Sequence, residues 1–186
     1  MKNLLISFIL ISLLSSCSSN KAILSYMSQQ EDKESSNKIV VFDKKVSIKQ
    51  TLYTVSISNQ STNNGIVNYS RSKNYNSTDF TNLFRKYIND TLTDTWSSKD
   101  FKKFKIEIID NSLEYLKKEN STMGFKKKNV FYAFSKPLFY KNKRLILFYV
   151  SKAFNIGSIE FSGVVVMKKT NGKWEIIETI NSKELY

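Results

Sequence analysis

The 186-residue chain has no histidine, one cysteine (Cys17), one proline (Pro137) and five glycines. Each scarcity excludes something. Without imidazole, Ser-His and Cys-His nucleophile pairs and most catalytic zinc sites cannot be assembled. The glycines form no phosphate-cradling loop. A lone cysteine cannot close an intrachain disulfide. The longest apolar run, residues 4–14, is broken by Ser7 and Ser12, and a membrane-spanning helix takes about 20 residues. Arginine is scarce as well. Of 29 basic residues only Arg71, Arg85 and Arg144 are arginine, against 16 acidic residues and a formal net charge of +13. Bidentate recognition of bases and phosphates favours arginine, and a lysine-, asparagine-, isoleucine- and serine-rich profile is what an A+T-rich genome writes throughout. Nucleic acid is therefore not expected as a partner. The charge suits solvated lysines, or a basic surface facing anionic lipid head groups or polyanionic polymers.

What is present starts at the N-terminus. Met1-Lys2-Asn3 is a short positive start, residues 4–14 have the length of a cleavable apolar region, and Leu14-Ser15-Ser16-Cys17 follows where that run stops. These residues resemble the lipobox signal of bacterial lipoproteins. The resemblance implies cleavage between Ser16 and Cys17 and acylation of the Cys17 thiol. Two or more acyl chains hold a protein stably on a bilayer, each buried methylene contributing about 0.8 kcal/mol. Ser18 after the cysteine is compatible with outer-membrane sorting. The acidic cluster that directs some Bacteroidetes-type lipoproteins to the cell surface is absent at this point. The expected location is the cell envelope, lipid-anchored on the outer membrane and facing the periplasm.

The whole chain is 41% hydrophobic and 13% aromatic, a composition for a packed core rather than a disordered tail. The expected organisation is a signal peptide over residues 1–16, a lipid anchor and flexible tether over 17–38, and a single α+β domain over 39–186. In the tether, Ile23, Leu24 and Met27 make a short apolar stripe before a polar stretch read as a spacer. Residues 39–42 and 52–58 read as strands, the second because Tyr53, Val55 and Ile57 alternate with Leu52, Thr54, Ser56 and Ser58. Residues 59–78 are a long Ser-, Asn- and Thr-rich loop, and such loops tend to be functional or disordered. Tyr69, Arg71, Lys73 and Tyr75 mark it as the candidate interaction surface. Phe80, Leu83, Phe84, Tyr87, Ile88 and Leu92 then fall at helical spacing, with Thr78 or Asp79 placed to cap.

A second helix is expected over residues 100–119, with Phe101, Phe104, Ile108, Tyr115 and Leu116 on its apolar side. Glu107, Asp110 and Glu114 on the other side have a spacing that invites a hard cation. Neighbouring lysines compete for those carboxylates, so the reading is a solvated charged face. No metal or cofactor is expected.

The C-terminal third reads as four strands, residues 130–140, 144–154, 159–169 and 173–180, whose short connections require antiparallel pairing. Asn171-Gly172 is the strongest hairpin signal. It places Lys169 opposite Trp174, Lys168 opposite Glu175, Met167 opposite Ile176 and Val166 opposite Ile177. Residues 145–150 are apolar on both parities and should be central and covered on both faces. Pro137 should sit at a bulge or an edge. The expected fold is thus α+β, with two amphipathic helices packed on a mainly antiparallel sheet made of a C-terminal four-stranded meander plus N-terminal strands. Ser135-Lys136-Pro137-Leu138-Phe139, the apolar strand at 145–150 and the Asn171-Gly172-Lys173-Trp174 hairpin together resemble small envelope lipoproteins of Bacteroidetes. The Gly-Lys-Trp ending is also similar to the last strand of nuclear-transport-factor-like cone folds, whose helices precede the whole sheet, unlike residues 39–58 here. Neither resemblance implies a reaction.

The leading functional expectation is a non-enzymatic lipid-anchored binding or accessory protein, contacting membrane lipid through Cys17 and an envelope protein or anionic polymer through its surface. The alternatives are a toxin-neutralising periplasmic immunity lipoprotein and a cryptic envelope hydrolase. A hydrolase needs only carboxylates, or a serine and a lysine, that meet in space. Ser135 and Lys136, although adjacent, would point to opposite faces of a strand.

Overall fold

Asn171 and Gly172 take φ of 50° and 80°, the left-handed pair that a two-residue type I′ loop requires. The hairpin they close sets the register of the sheet's C-terminal edge. Lys169 pairs with Trp174, Lys168 with Glu175 and Met167 with Ile176, as the sequence predicts. The fourth pair differs, because a bulge between Val166 and Met167 brings Val166 opposite Glu178 instead of Ile177. The computed structural model describes residues 20–30, 38–58, 72–90, 94–110, 129–154 and 159–181. Those residues form helix α1 (20–30), strand β1 (Lys38–Phe42), helices α2 (Ile48–Ser58) and α3 (Ser77–Tyr87), a 3₁₀ turn (Ser98–Phe101), and strands β2 (Ile106–Ile109), β3 (Asn129–Phe134), β4 (Leu138–Tyr140), β5 (Leu145–Phe154), β6 (Ile159–Thr170) and β7 (Lys173–Asn181). The fold is α+β around one mostly antiparallel seven-stranded sheet, with the order β2-β1-β3-β5-β6-β7. Only β1 departs from antiparallel, running parallel to both β2 and β3.

Strand β5 is central. All six residues from Leu145 to Val150 are buried, and they divide between two cores. Ile146, Phe148 and Val150 face α1, Trp96 and Phe101. Leu145, Leu147 and Tyr149 face α2 and α3. Helices on both faces explain why a strand apolar on both parities is stable here. Beyond the bulge, Gly163 of β6 lies so close to β7 that a Cβ would stand 2.1 Å from the Ile180 carbonyl oxygen. Only glycine lets those backbones approach that far.

Four sequence expectations need correction. Residues 20–30 are no spacer. Ala22, Ile23, Tyr26 and Met27 are 4% exposed or less and belong to the core on one sheet face, so the apolar stripe in the assigned tether is a docking face. Polar residues of the same helix satisfy the open edge of β7, where the Trp174 carbonyl accepts from Ser25 Oγ (2.8 Å) and Gln29 Nε2 (3.0 Å).

Residues 52–58 are helical rather than extended. Ile48, Leu52 and Val55, at i, i+4 and i+7, enter the opposite core, and Thr54 Oγ1 donates to the Gln50 carbonyl (2.9 Å). The segment's β-branched residues satisfied a two-residue alternation by coincidence, and burial of the helical stripe overrode their strand propensity.

The third correction concerns residues 100–119. The part described is the 3₁₀ turn, which buries Phe101, followed by β2; residues 111–119 lie outside the described residues. Ile106, Ile108 and Ile109 give a run that pairs with β1, and that pairing decides between helix and strand.

Lastly, the strand expected over residues 130–140 is split. β3 and β4 both pair with β5 and are separated by Ser135-Lys136-Pro137. Pro137, which has no N–H to donate, occupies the break. The serine mends it: Ser135 N donates to the Tyr149 carbonyl (3.0 Å), while Ser135 Oγ accepts from Tyr149 N (2.8 Å) in place of a strand carbonyl.

Candidate functional site

The turn from β4 to β5 carries the most unusual backbone of the described residues. Lys141, Asn142 and Lys143 are successive non-glycine residues in the left-handed region, at φ of 48°, 53° and 64°. Asparagine tolerates this conformation, whereas a lysine there costs roughly 1–2 kcal/mol through crowding of Cβ against the following carbonyl. Arg144 N closes the turn on the Lys141 carbonyl at 3.1 Å. Strain of this kind tends to collect at ligand clamps. Here it borders an open cavity of about 330 Å³ lined by Asn74, Asp79, Lys141, Asn142, Arg144, Leu145, Lys168 and Ile177. Lys168 reaches it from β6, where it pairs with Leu145 at the start of β5. The lining holds three cations, one carboxylate and two amides, a donor set suited to phosphate or carboxylate oxygens.

One wall is held by an extended set of hydrogen bonds. The bulge in β6–β7 turns Glu178 toward the α3 side of the sheet, and its carboxylate accepts from Ser72 Oγ (2.8 Å), Lys73 N (3.2 Å) and Asn74 Nδ2 (2.9 Å). The same bulge leaves Ile177 38% exposed at the cavity. Next along the chain, Asn76 caps α3, its side chain accepting from Asp79 N at 2.9 Å. The cap is therefore Asn76 rather than Thr78 or Asp79, and Asp79 sits in the first helical turn, where the helix dipole favours a carboxylate. Tyr140 locks this corner to the sheet: its hydroxyl accepts from Asn76 N (2.7 Å) and donates to Asn76 O (3.1 Å). Burial raises the Tyr140 phenol above its ordinary value of 10.0, with the nearby Asp79 and Tyr75 adding to the rise and the Asn76 backbone bond opposing it.

Of the four residues expected to form an interaction surface, Lys73 and Tyr75 are described. Lys73 is exposed at the clamped turn, and Tyr75 packs its ring 5.4 Å from Phe80. Both flank Asn74, so this end of the loop abuts the basic cavity. Tyr69 and Arg71 lie outside the described residues, as do Ser16 and Cys17. Reasoning from sequence missed Lys141, Arg144 and Lys168 as a group. The only local signal was the turn-prone Lys141-Asn142-Lys143, since Lys168 joins them through sheet register.

Other sequence candidates resolve differently. Glu107 is ion-paired with Lys38, and Asp110 lies 3.7 Å from Lys44; Glu114 is outside the described residues. Among the described residues no three His, Cys, Asp or Glu side chains are grouped to hold a metal. Ser135 is wholly buried, and its hydroxyl accepts from Thr51 Oγ1 (2.9 Å) and Tyr149 N while donating to the Lys136 carbonyl (3.2 Å). A hydroxyl has one donor and two acceptor positions, so its bonding is complete. Lys136 points elsewhere, with Nζ 3.9 Å from Asp94.

A second cavity, about 300 Å³, lies beside α1 and is lined in part by Tyr26, Gln30, Lys152 and Glu160. Lys152 continues the core parity of Ile146, Phe148 and Val150 and is 4% exposed. It pairs with Glu160 at 2.7 Å and lies 4.9 Å from the centre of the Phe154 ring.

No described helix is long and apolar enough to cross a membrane. Compared with protein-family models, curated proteins and solved structures, the chain matches none.

Proposed function

We propose that this chain is a lipid-anchored accessory protein of the bacterial envelope, held through Cys17 on the outer membrane's periplasmic side, that binds anionic groups of an envelope polymer or partner protein in the cavity beside the β4–β5 turn. The observation that carries the binding reading is the convergence of Lys141, Arg144 and Lys168 with the Asn74 and Asn142 amides on one cavity. Anchoring rests on the lipobox at Leu14-Ser15-Ser16-Cys17.

Rigidity supports binding over mere solvation. Free surface lysines lose side-chain entropy when they hold a ligand. Here the Lys141 backbone is set by the turn, and Asn74 is held by Glu178. The test is anisotropy of a fluorescently labelled short polyphosphate titrated with the mature protein. A hydrogen bond to a charged group contributes about 1.5–3 kcal/mol, so Arg144→Ala and Lys168→Gln should each weaken binding by about tenfold or more. Lys86→Gln, on α3 outside the cavity, should leave it within about twofold, the reach of a screened surface charge. Equal losses for all three variants would reduce the interaction to diffuse net charge.

The hydrolase reading has one observation in its favour, the buried Lys152 beside the second cavity. Its pairing with Glu160 at 2.7 Å supports a fixed ion pair better than an amine nucleophile.

A further inference from the structure

The described part of helix α1, residues 20–30, is docked on the sheet, with Ala22 and Ile23 in the core. Only three residue steps separate Asn20 from Cys17, a covalent reach of at most about 11 Å. With an acylated Cys17 the folded domain therefore stands on the bilayer, and the surface around Asn20 is the surface that meets lipid. Asn20 marks that surface: its Nδ2 donates to Asp100 Oδ1 at 3.0 Å, joining α1 to the 3₁₀ turn. Here the sequence Lys99-Asp100-Phe101-Lys102-Lys103-Phe104-Lys105 alternates inward aromatics with outward charge. Phe101 is buried against Trp96 and Phe134, and Phe104 packs on the same core. Lys21, Lys99, Lys102, Lys103 and Lys105 are exposed, and none has a carboxylate within ion-pair distance among the described residues. Asp100 is engaged by Asn20 and by the Ser97 cap.

We infer that Lys21, Lys99, Lys102, Lys103 and Lys105 form a membrane-facing platform that binds anionic phospholipid head groups and fixes the orientation of the anchored domain. The inference rests on the lipid anchor proposed above. Acyl chains supply attachment but no preferred rotation about the chain that bears them, whereas cations on one side of the anchor point do. The chemistry is point-charge attraction rather than bidentate recognition, which is what lysine supplies. It acts only within a Debye length, about 8 Å at physiological ionic strength, a distance that the short link to Cys17 makes accessible.

The experiment uses the native protein, purified from membranes and reconstituted into vesicles of either phosphatidylcholine alone or phosphatidylcholine with phosphatidylglycerol. Mass spectrometry first reads the Cys17 adduct. Lysines are then labelled with a water-soluble amine reagent and quantified residue by residue, with Lys49 on α2, at the opposite face of the sheet, as internal reference. On anionic vesicles at low salt, labelling of Lys99, Lys102, Lys103 and Lys105 should slow by about fivefold relative to neutral vesicles, the factor that corresponds to about 1 kcal/mol per cation at an anionic surface. Lys49 should not change, and high salt should restore the labelling. An acylated protein whose platform lysines and Lys49 respond alike on both vesicles overturns the orientation and leaves the anchor standing. A Cys17 without acyl groups overturns both.

Discussion

If α1 is part of the core, then truncating Ile23 must destabilise the whole domain; if residues 17–38 were a spacer, nothing would change. Ile23 is 1% exposed, among Ala22, Tyr26 and Met27 of its own helix and the sheet residues of the same core. Replacing it with alanine removes three carbons from a filled site. Large-to-small changes of this kind cost about 2–5 kcal/mol, the spread reflecting how far the surroundings collapse into the space. Here collapse is limited. The Tyr26 ring is fixed edge-on against Phe134 (6.3 Å) and Phe148 (5.7 Å), and Ser25 and Gln29 are tied to the Trp174 carbonyl. The upper half of the range is therefore expected, a large share of the roughly 5–15 kcal/mol that holds a domain together. The assay is urea unfolding of the mature protein in detergent. Ile23→Ala should lower the midpoint with the slope m unchanged, since the surface exposed on unfolding is nearly the same. Ser28→Ala, at an exposed position of the same helix, serves as control. Amide hydrogen exchange adds a local readout: residues 20–30 should lose protection first if α1 undocks below the global transition. An Ile23→Ala midpoint equal to that of the control would refute the packing of α1 and remove the basis for a membrane-proximal platform.

Two further outcomes follow from polar groups in the core. Ser135→Ala should cost about 1–3 kcal/mol, because the Tyr149 N–H loses its acceptor in a buried position; thermal unfolding measures it, and a neutral effect would mean that the strand break is not mended by that hydroxyl. Tyr140→Phe removes both bonds to Asn76 and should cost a similar amount. It should also change the alkaline limb of stability. With the folded phenol raised above 10.0, the neutral hydroxyl contributes fully below that value. Above it the unfolded chain ionises first, so stability falls until the folded group titrates as well. The phenylalanine variant should show a shallower decline in this window, and identical slopes in urea titrations across alkaline pH would contradict the assignment.

Much of the sheet was legible in the residues because the signals were long or chemically specific. Asn171-Gly172 demands one turn type, and β5 is apolar on both parities over six residues, which requires cover on both faces. α3 carries a stripe over several turns. The errors fell on short or ambiguous runs. Residues 52–58 fit a strand alternation and a helical stripe at once, and the stripe at residues 23–27 is too short to announce a partner. Ile106–Ile109 could extend a helix as readily as pair with β1. In the candidate site, Lys73 and Tyr75 were visible as a basic-aromatic segment, but the cavity they adjoin was not. Its cations sit on one turn and on a neighbouring strand, and no spacing rule connects positions 141, 144 and 168.

By itself the chain determines its chemistry in advance of any fold: no imidazole, a single thiol placed behind a short apolar run, an excess of lysine and a type I′ hairpin. These follow from residue identity and from backbone sterics acting over two to four residues. The tertiary structure alone decides that α1 belongs to the core, that Ser135 substitutes for a strand carbonyl, and that Lys141, Arg144 and Lys168 share one cavity. Burial and hydrogen-bond completion are properties of surfaces that meet across many tens of residues, and those meetings are set by the register of the sheet rather than by any segment within it.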